Sequence, residues 1–161
     1  MRPMLRSVLA FLCIALTLAV PAAAAAAERY GLSRNENIRF LADMAQRPGM
    51  QKLDNGVLYR VQATGSGEAV TGRGDKVTVG YTGYLINGTR FDQTPSGKPR
   101  SFIVSRVIPG WTEALLKMRE GDRWEVIVPA ELAYGDGSSG AVPPGQSLLF
   151  IIQLEHVEHP S

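Results

Sequence analysis

Apolar and polar residues alternate with a period of two along several stretches of this chain, the pattern of strands with one buried face. The clearest stretch begins after Asp75, where Val77, Val79 and Tyr81 fall on one side and Lys76, Thr78 and Thr82 on the other. Val57, Tyr59 and Val61 repeat the pattern earlier; Trp124, Val126 and Val128, then Leu148, Phe150, Ile152 and Leu154, repeat it later. Asn55-Gly56 and Asn87-Gly88 read as tight turns, the second a strong hairpin signal that leads into an element opened by Phe91-Asp92. Pro95, Gly97 and Pro99 make the segment from Gln93 to Arg100 a loop or bulge, after which Phe102 and Val104 resume a short strand. Two stretches have helical spacing instead. Over residues 33–47, Ser33 and Glu36 form a candidate capping box and Ile38, Leu41 and Ala45 share a face, with Pro48-Gly49 as the stop. A second helix over Thr112–Met118 follows Pro109-Gly110 and puts Trp111, Leu115 and Met118 together.

Short strands with one internal helix of about two turns cannot cover both faces of a parallel sheet. The economical arrangement is α+β, a curved antiparallel sheet wrapping its concave side around that helix. Residues 133–145, rich in glycine and carrying Pro143-Pro144, form a long loop before the last strand. The glycines between Gly65 and Gly74 lack the Lys-Ser/Thr that phosphate binding needs, so no nucleotide cofactor is expected there. The segment before residue 50 is an appendage that either packs on the sheet or meets a partner.

The start of the chain changes the picture of where it works. Arg2 and Arg6, an apolar run from Val8 to Val20, Pro21 and the alanines Ala22 to Ala27 have the layout of a secretory leader. The apolar run is shorter than the roughly 20 residues of a membrane span, so stable membrane insertion is not expected. The expected organisation is a leader over 1–27, a helical appendage over 28–50 and one domain over 51–161. Cys13, the single cysteine, leaves with the leader, and the fold must stand on packing without disulfides. Arg2 and Arg6 leave too, which brings the 17 basic residues down by two, level with the 15 acidic ones. A balanced charge argues against a nucleic-acid partner. The destination is the periplasm or the exterior.

The alternating stretches also carry motifs. Val79-Gly80-Tyr81-Thr82-Gly83-Tyr84-Leu85, Asn87-Gly88 and Phe91-Asp92 resemble the opening signature of the FKBP-type prolyl isomerases. Val107-Ile108-Pro109-Gly110-Trp111-Thr112-Glu113-Ala114-Leu115 is similar to the Mip-type (macrophage infectivity potentiator) branch of that family, found in bacterial envelopes. Val128-Pro129-Ala130, Leu132-Ala133-Tyr134-Gly135, Pro143-Pro144 and Leu148-Leu149-Phe150 follow in the family's order, so that the likeness runs over about residues 50–158.

The resemblance implies a half-barrel sheet around a short helix, with a hydrophobic pocket between them for the proline ring of a peptide. Trp111 would be the floor, Tyr81, Phe91, Phe102 and Phe150 the walls, and Val107 and Ile108 one edge. The Ile108 N–H would bind a substrate carbonyl, Tyr134 would offer a hydroxyl, and Asp92 a polar contact beside the pocket. Val142, in the loop after Tyr134, would also meet the substrate; that loop offers serines and alanine where many family members have a bulky or imidazole side chain. Rapamycin-type macrolides are expected to bind, and no metal or cofactor is required. Mip-type proteins carry a long N-terminal dimerisation helix, of which only the 33–47 stretch is present, so a monomer is expected.

Periodicity alone leaves these aromatics open to a second reading as plain core residues. Tyr134 could tie down its loop, and Asp92 could cap the turn after Asn87-Gly88. A binding module that docks proline-containing partners without turnover, or a holdase chaperone, is the alternative to an isomerase. His156 and His159 have no third ligand nearby in the sequence.

Overall fold

A computed structural model describes residues 29–161; the leader expected over 1–27 lies outside the described residues. The chain runs through helix α1 (Arg34–Ala45), strands β1 (Gln51–Lys52), β2 (Leu58–Ala63), β3 (Lys76–Leu85), β4 (Arg90–Gln93) and β5 (Arg100–Ile103), helix α2 (Pro109–Leu115), and strands β6 (Arg123–Val128) and β7 (Leu148–Glu158). One antiparallel sheet has the order β1-β2-β6-β7-β3-β4, with β5 also paired to β3. It does not close. The fold is therefore the α+β curved antiparallel sheet expected from the strand pattern and the half-barrel implied by the resemblance, with α2 inside its curve.

The centre of the sheet is the long pair of β3 with β7, registered from Lys76 opposite Glu158 to Leu85 opposite Leu148. The period-two reading of β3 holds: Val77 and Val79 are fully buried and Tyr81 nearly so, while Lys76 is exposed. Along β6 and β7, Trp124, Val126, Val128, Leu148, Phe150, Ile152 and Leu154 face α2 and its Trp111, Ala114 and Leu115. At the Asn87-Gly88 turn the Asn87 side chain accepts from Thr89 N at 3.0 Å, and Gly88 takes φ +84°, open to glycine at little cost.

The other face of β6 and β7 is apolar as well, and α1 covers it. Phe40 and Met44 pack with Tyr30, Leu58, Ile86, Ile127, Leu149 and Ile151 as a second core. Burial of side chains this size is worth about 1.5–3 kcal/mol each, enough to seat the helix on the sheet. Ser33 does cap α1, accepting from Glu36 N at 3.2 Å. Of the expected face of Ile38, Leu41 and Ala45, only Leu41 packs against this core, and it does so partly buried. Ile38 is 59% exposed, and the buried stripe is Asn37, Phe40 and Met44. A polar residue occupies the stripe because its amide is satisfied: Asn37 Nδ2 donates to Gln146 Oε1 at 3.2 Å, and Ser147 N donates to Asn37 Oδ1 at 2.7 Å.

Two boundaries also differ from expectation. Helix α2 starts three residues early because Pro109 occupies its first turn, where the missing N–H costs nothing. Gly110 then lies so close to β6 that a Cβ there would stand 2.4 Å from Val128 Cγ1. Val104 belongs to a 3₁₀ turn over Val104–Arg106 and not to a strand, and its carbonyl accepts from Thr112 Oγ1 at 2.6 Å. Among the described residues no helix is long and apolar enough to cross a membrane.

Candidate functional site

The site grows out of the concave face. Strand β3 alternates inward through Tyr81, β4 brings Phe91 and Asp92, β5 brings Phe102, β7 brings Phe150, and the start of α2 brings Trp111. Pro109 at the first position of α2 fixes where that helix begins, and so where Trp111 stands. The rings meet edge to face. Trp111 is perpendicular to Tyr81 at 5.0 Å, to Phe150 at 5.1 Å and to Phe102 at 6.0 Å between centroids. Phe91 stands at 81° to Phe150 with centroids 5.7 Å apart. Such pairs favour this geometry through their ring quadrupoles, by about 0.5–1.5 kcal/mol each beyond buried area. The set is a closely packed cup.

Its hollow, about 280 Å³, is bounded by Tyr81, Phe91, Asp92, Phe102, Val107, Ile108, Trp111, Tyr134 and Phe150, together with Arg106. The structure thus brings nine of the ten expected side chains to one cavity. Trp111, Tyr81 and Phe150 are buried in its base, while Tyr134 is 40% exposed at its mouth. Val142 is the exception. It is 2% exposed and packs in the core, where its backbone pairs with Ser139 across the loop; it does not line the cavity. Its apolar β-branched side chain found the core before it found the substrate.

The polar groups at the wall are organised by one hydroxyl. Tyr81 donates to Asp92 Oδ2 at 2.5 Å, and Arg100 Nη1 donates to the Tyr81 oxygen at 3.2 Å. Arg100 Nη1 lies 3.7 Å from Asp92 Oδ1, which also accepts from Gln93 N at 2.8 Å. Burial and the adjacent Asp92 carboxylate push the Tyr81 hydroxyl up to about 12, so it remains a donor throughout the neutral range. Thr94 ties the backbone of Tyr81 down by accepting from its N–H at 2.9 Å. No acceptor within the described protein takes the Ile108 N–H, and no partner is found for the Tyr134 hydroxyl.

Arg100, Thr94 and Arg106 were not singled out from the sequence. Arg100 could have been found from Phe102: two residues apart on β5, they share a face. Arg106 directly precedes the Val107-Ile108 edge. Two larger hollows, of about 500 and 660 Å³, lie elsewhere. The first runs between α1 and the 144–147 turn with no aromatic ring in its wall. The second has Tyr59 and Trp124, already stacked on each other at 4.6 Å. Neither offers an aromatic cup. Among the described residues no three His, Cys, Asp or Glu side chains converge as a metal site.

Residues 67–155 match the family model of FKBP-type peptidyl-prolyl cis-trans isomerases. Over 121 residues the chain is 50% identical to the outer membrane protein MIP of Legionella longbeachae, an alignment spanning 74% of this chain and 52% of that protein. It is 41% identical over 129 residues to the FKBP-type 22 kDa peptidyl-prolyl cis-trans isomerase of Escherichia coli K12, covering 79% of this chain and 62% of that protein. The chain therefore spans little more than half the length of these curated relatives. Among solved structures, a peptidyl-prolyl cis-trans isomerase from Pseudomonas syringae superposes with a TM-score of 0.72 at 32% identity, over 78% of this chain and 92% of that one. FkpA from Escherichia coli gives the same score at 36% identity, over 77% of this chain and 58% of that one. With the half-barrel, the aromatic cup and these matches in agreement, the chain belongs to the FKBP-type peptidyl-prolyl cis-trans isomerase family.

Proposed function

We propose that this chain catalyses cis/trans rotation of X-Pro bonds in exported polypeptides, with the cavity above Trp111 holding the proline. The observation that carries the reading is the cup itself: a buried Trp111 ringed edge to face by Tyr81, Phe102 and Phe150, with Phe91 extending the wall. An X-Pro bond favours trans by only about 0.5–1 kcal/mol, yet rotates in tens of seconds because its barrier is close to about 20 kcal/mol. A catalyst has to hold the twisted amide better than either planar form. Twisting breaks the amide resonance and leaves a less polar group, which a dry aromatic wall favours over water.

The remaining groups orient the chain on either side. The free Ile108 N–H and the Tyr134 hydroxyl supply two donors at the mouth for flanking carbonyls. The Tyr81–Asp92–Arg100 cluster keeps one wall in place. No proton transfer is needed. The same cup is suited to rapamycin-type macrolides, whose ring would compete with proline. The leader pattern of residues 1–27, and a relative named an outer membrane protein, support work in the cell envelope or outside the cell. The unit is proposed to be monomeric, since Phe40 and Met44 of α1 are spent on the chain's own sheet; sedimentation at micromolar concentration should return the mass of one chain.

Protease-coupled turnover of an X-Pro peptide tests the reading. It should be present, blocked by a rapamycin-type macrolide, and lowered together with macrolide affinity in Trp111→Leu. A folded protein that binds the macrolide but turns over no X-Pro peptide would instead be a proline-docking module.

A further inference from the structure

The cavity mouth carries a charge that proline binding does not use. Arg106 lines the cavity beside the Val107-Ile108 edge, is exposed, and forms no ion pair or hydrogen bond within the described protein. Several other cations are already paired. Arg73 is taken by Glu113 at 2.5 Å, and Lys76 by Glu158 at 2.8 Å. Asp92 is the single acidic residue in the cavity wall. Its oxygens are occupied by the Tyr81 hydroxyl, the Gln93 N–H and, more distantly, Arg100. Arg100 itself has a side chain 50% exposed. The acid is offset locally, and the rim keeps a net positive charge from Arg106.

We propose that Arg106 is a specificity residue that favours substrates with an acidic side chain directly beside the proline, on whichever flank passes the Val107-Ile108 edge. The inference rests on the proposed isomerase reading and narrows its substrate class. A guanidinium with no partner presents its donors to a carboxylate without first breaking another bond, and it repels a lysine at the same place. The site is wet, so the preference is modest and screened by salt.

The test uses proline tetrapeptides with Glu, Gln or Lys placed before the proline in one set and after it in the other. Turnover and binding are both measured, the latter by the change in tryptophan fluorescence in a Trp124→Phe background, which leaves Trp111 at the cavity floor as the single indole. At low salt the order Glu over Gln over Lys is expected on at least one flank, with Glu over Gln by about two- to five-fold, the range exposed ion pairs reach. Raising salt to about 0.5 M should compress the ratio as the Debye length shortens. R106Q should bring the Glu/Gln ratio close to one, and R106E should reverse Glu and Lys. An absent order, or an order that R106Q and R106E leave in place, overturns the proposal. Turnover of the Gln peptides without a charge order refutes the role of Arg106 alone. Absence of turnover with every peptide refutes the isomerase reading, and the order in binding then still decides the role of Arg106.

Discussion

Tyr81 and Asp92 are joined across the cavity wall by a hydrogen bond of 2.5 Å, the phenol donating and the carboxylate accepting. The bond spans two neighbouring strands, and Arg100 from a third reaches the same hydroxyl. It is therefore the point at which β3, β4 and β5 agree on the shape of the cup. Tyr81→Phe keeps the ring and its perpendicular contact with Trp111 while deleting the donor. The Asp92 side chain is 41% exposed, so water partly replaces the lost bond, and the cost should be about 1 kcal/mol. Loss of kcat/KM by several-fold with a small drop in urea midpoint is expected. Because the hydroxyl ionises only near 12, activity should show no titration from Tyr81 between pH 6 and 9, and no phenolate absorbance from it at pH 10.

The cup depends on one missing side chain. At Gly83, on the same face of β3 as Tyr81, a Cβ would lie 2.7 Å from Phe91 Cζ and 3.0 Å from Phe150 Cε1. Neither ring can stay where it is if a methyl group enters. Phe91 is the half-exposed one, so it is the ring that gives way, and the cavity changes shape. Gly83→Ala should lower kcat/KM about ten-fold and destabilise by about 1–3 kcal/mol, the usual range for overpacking. Kinetics beside a denaturant melt check it; wild-type turnover in the variant would show that Phe91 does not shape the site.

How far the sequence could be read follows from which physics decided each part. The period of two in β3 and β7 is set by one dominant burial face, so Val77, Val79, Tyr81, Phe150 and Ile152 were legible. Helix α1 and its Ser33 cap were legible too, but its buried face was not, because its orientation is set by a polar residue: Asn37 is buried through bonds to Gln146 and Ser147, about 110 positions away along the chain. Counting apolar residues therefore chose Ile38, which is in solvent. The appendage question had the same answer hidden in β6 and β7, whose Ile127, Leu149 and Ile151 needed a cover. Within the site, rings were found through motif likeness, whereas Arg100 and Arg106 were missed because charged residues near loops usually read as solvated surface. Val142 was misplaced since a loop position does not reveal which way its side chain turns.

Helix α1 is held at its far end by a buried charge. Glu125, on the convex side of β6, is fully buried and accepts from Arg47 at 3.1 Å and Arg60 at 2.8 Å. Arg47 follows α1 and Arg60 belongs to β2, so the carboxylate ties the helix to two strands. Glu125→Gln keeps the volume but leaves two guanidiniums facing a neutral amide, and breaking a buried pair in this way costs about 3–5 kcal/mol. A large fall in thermal midpoint is expected, with faster hydrogen exchange over α1. The aromatic cup lies on the opposite face, so kcat/KM per folded molecule should change little below the new midpoint.

The C-terminal end of β7 is clasped by a pair that titrates. Asp75, 2% exposed, accepts from Thr71 N at 2.7 Å and Gly72 N at 3.1 Å, and His159 Nδ1 lies 3.1 Å from its other oxygen. Burial alone would raise the Asp75 carboxyl, but the Thr71 and Gly72 amides and His159 outweigh it and hold it below its ordinary value of 3.8. The Asp75 hydrogen bond, with the nearby Asp75 and Glu68 charges, raises His159 above 6.5 against a smaller opposing desolvation. The signs then separate. The Asp75 contribution is present above its unfolded value and is lost only as pH falls through the lowered one, so it is constant from pH 5 to 9. The His159 contribution is complete below 6.5 and disappears as pH rises through the raised folded value. Subtracting the melting curve of His159→Ala from that of the wild type cancels His156 and the carboxylates that His159 does not touch, leaving the coupling of His159 with Asp75 and Glu68. The difference should favour the wild type by a small margin at about pH 5.5 and fade towards about pH 9. A difference that is flat across that window, or that grows with pH, would show that the imidazolium form of His159 does not hold the strand end.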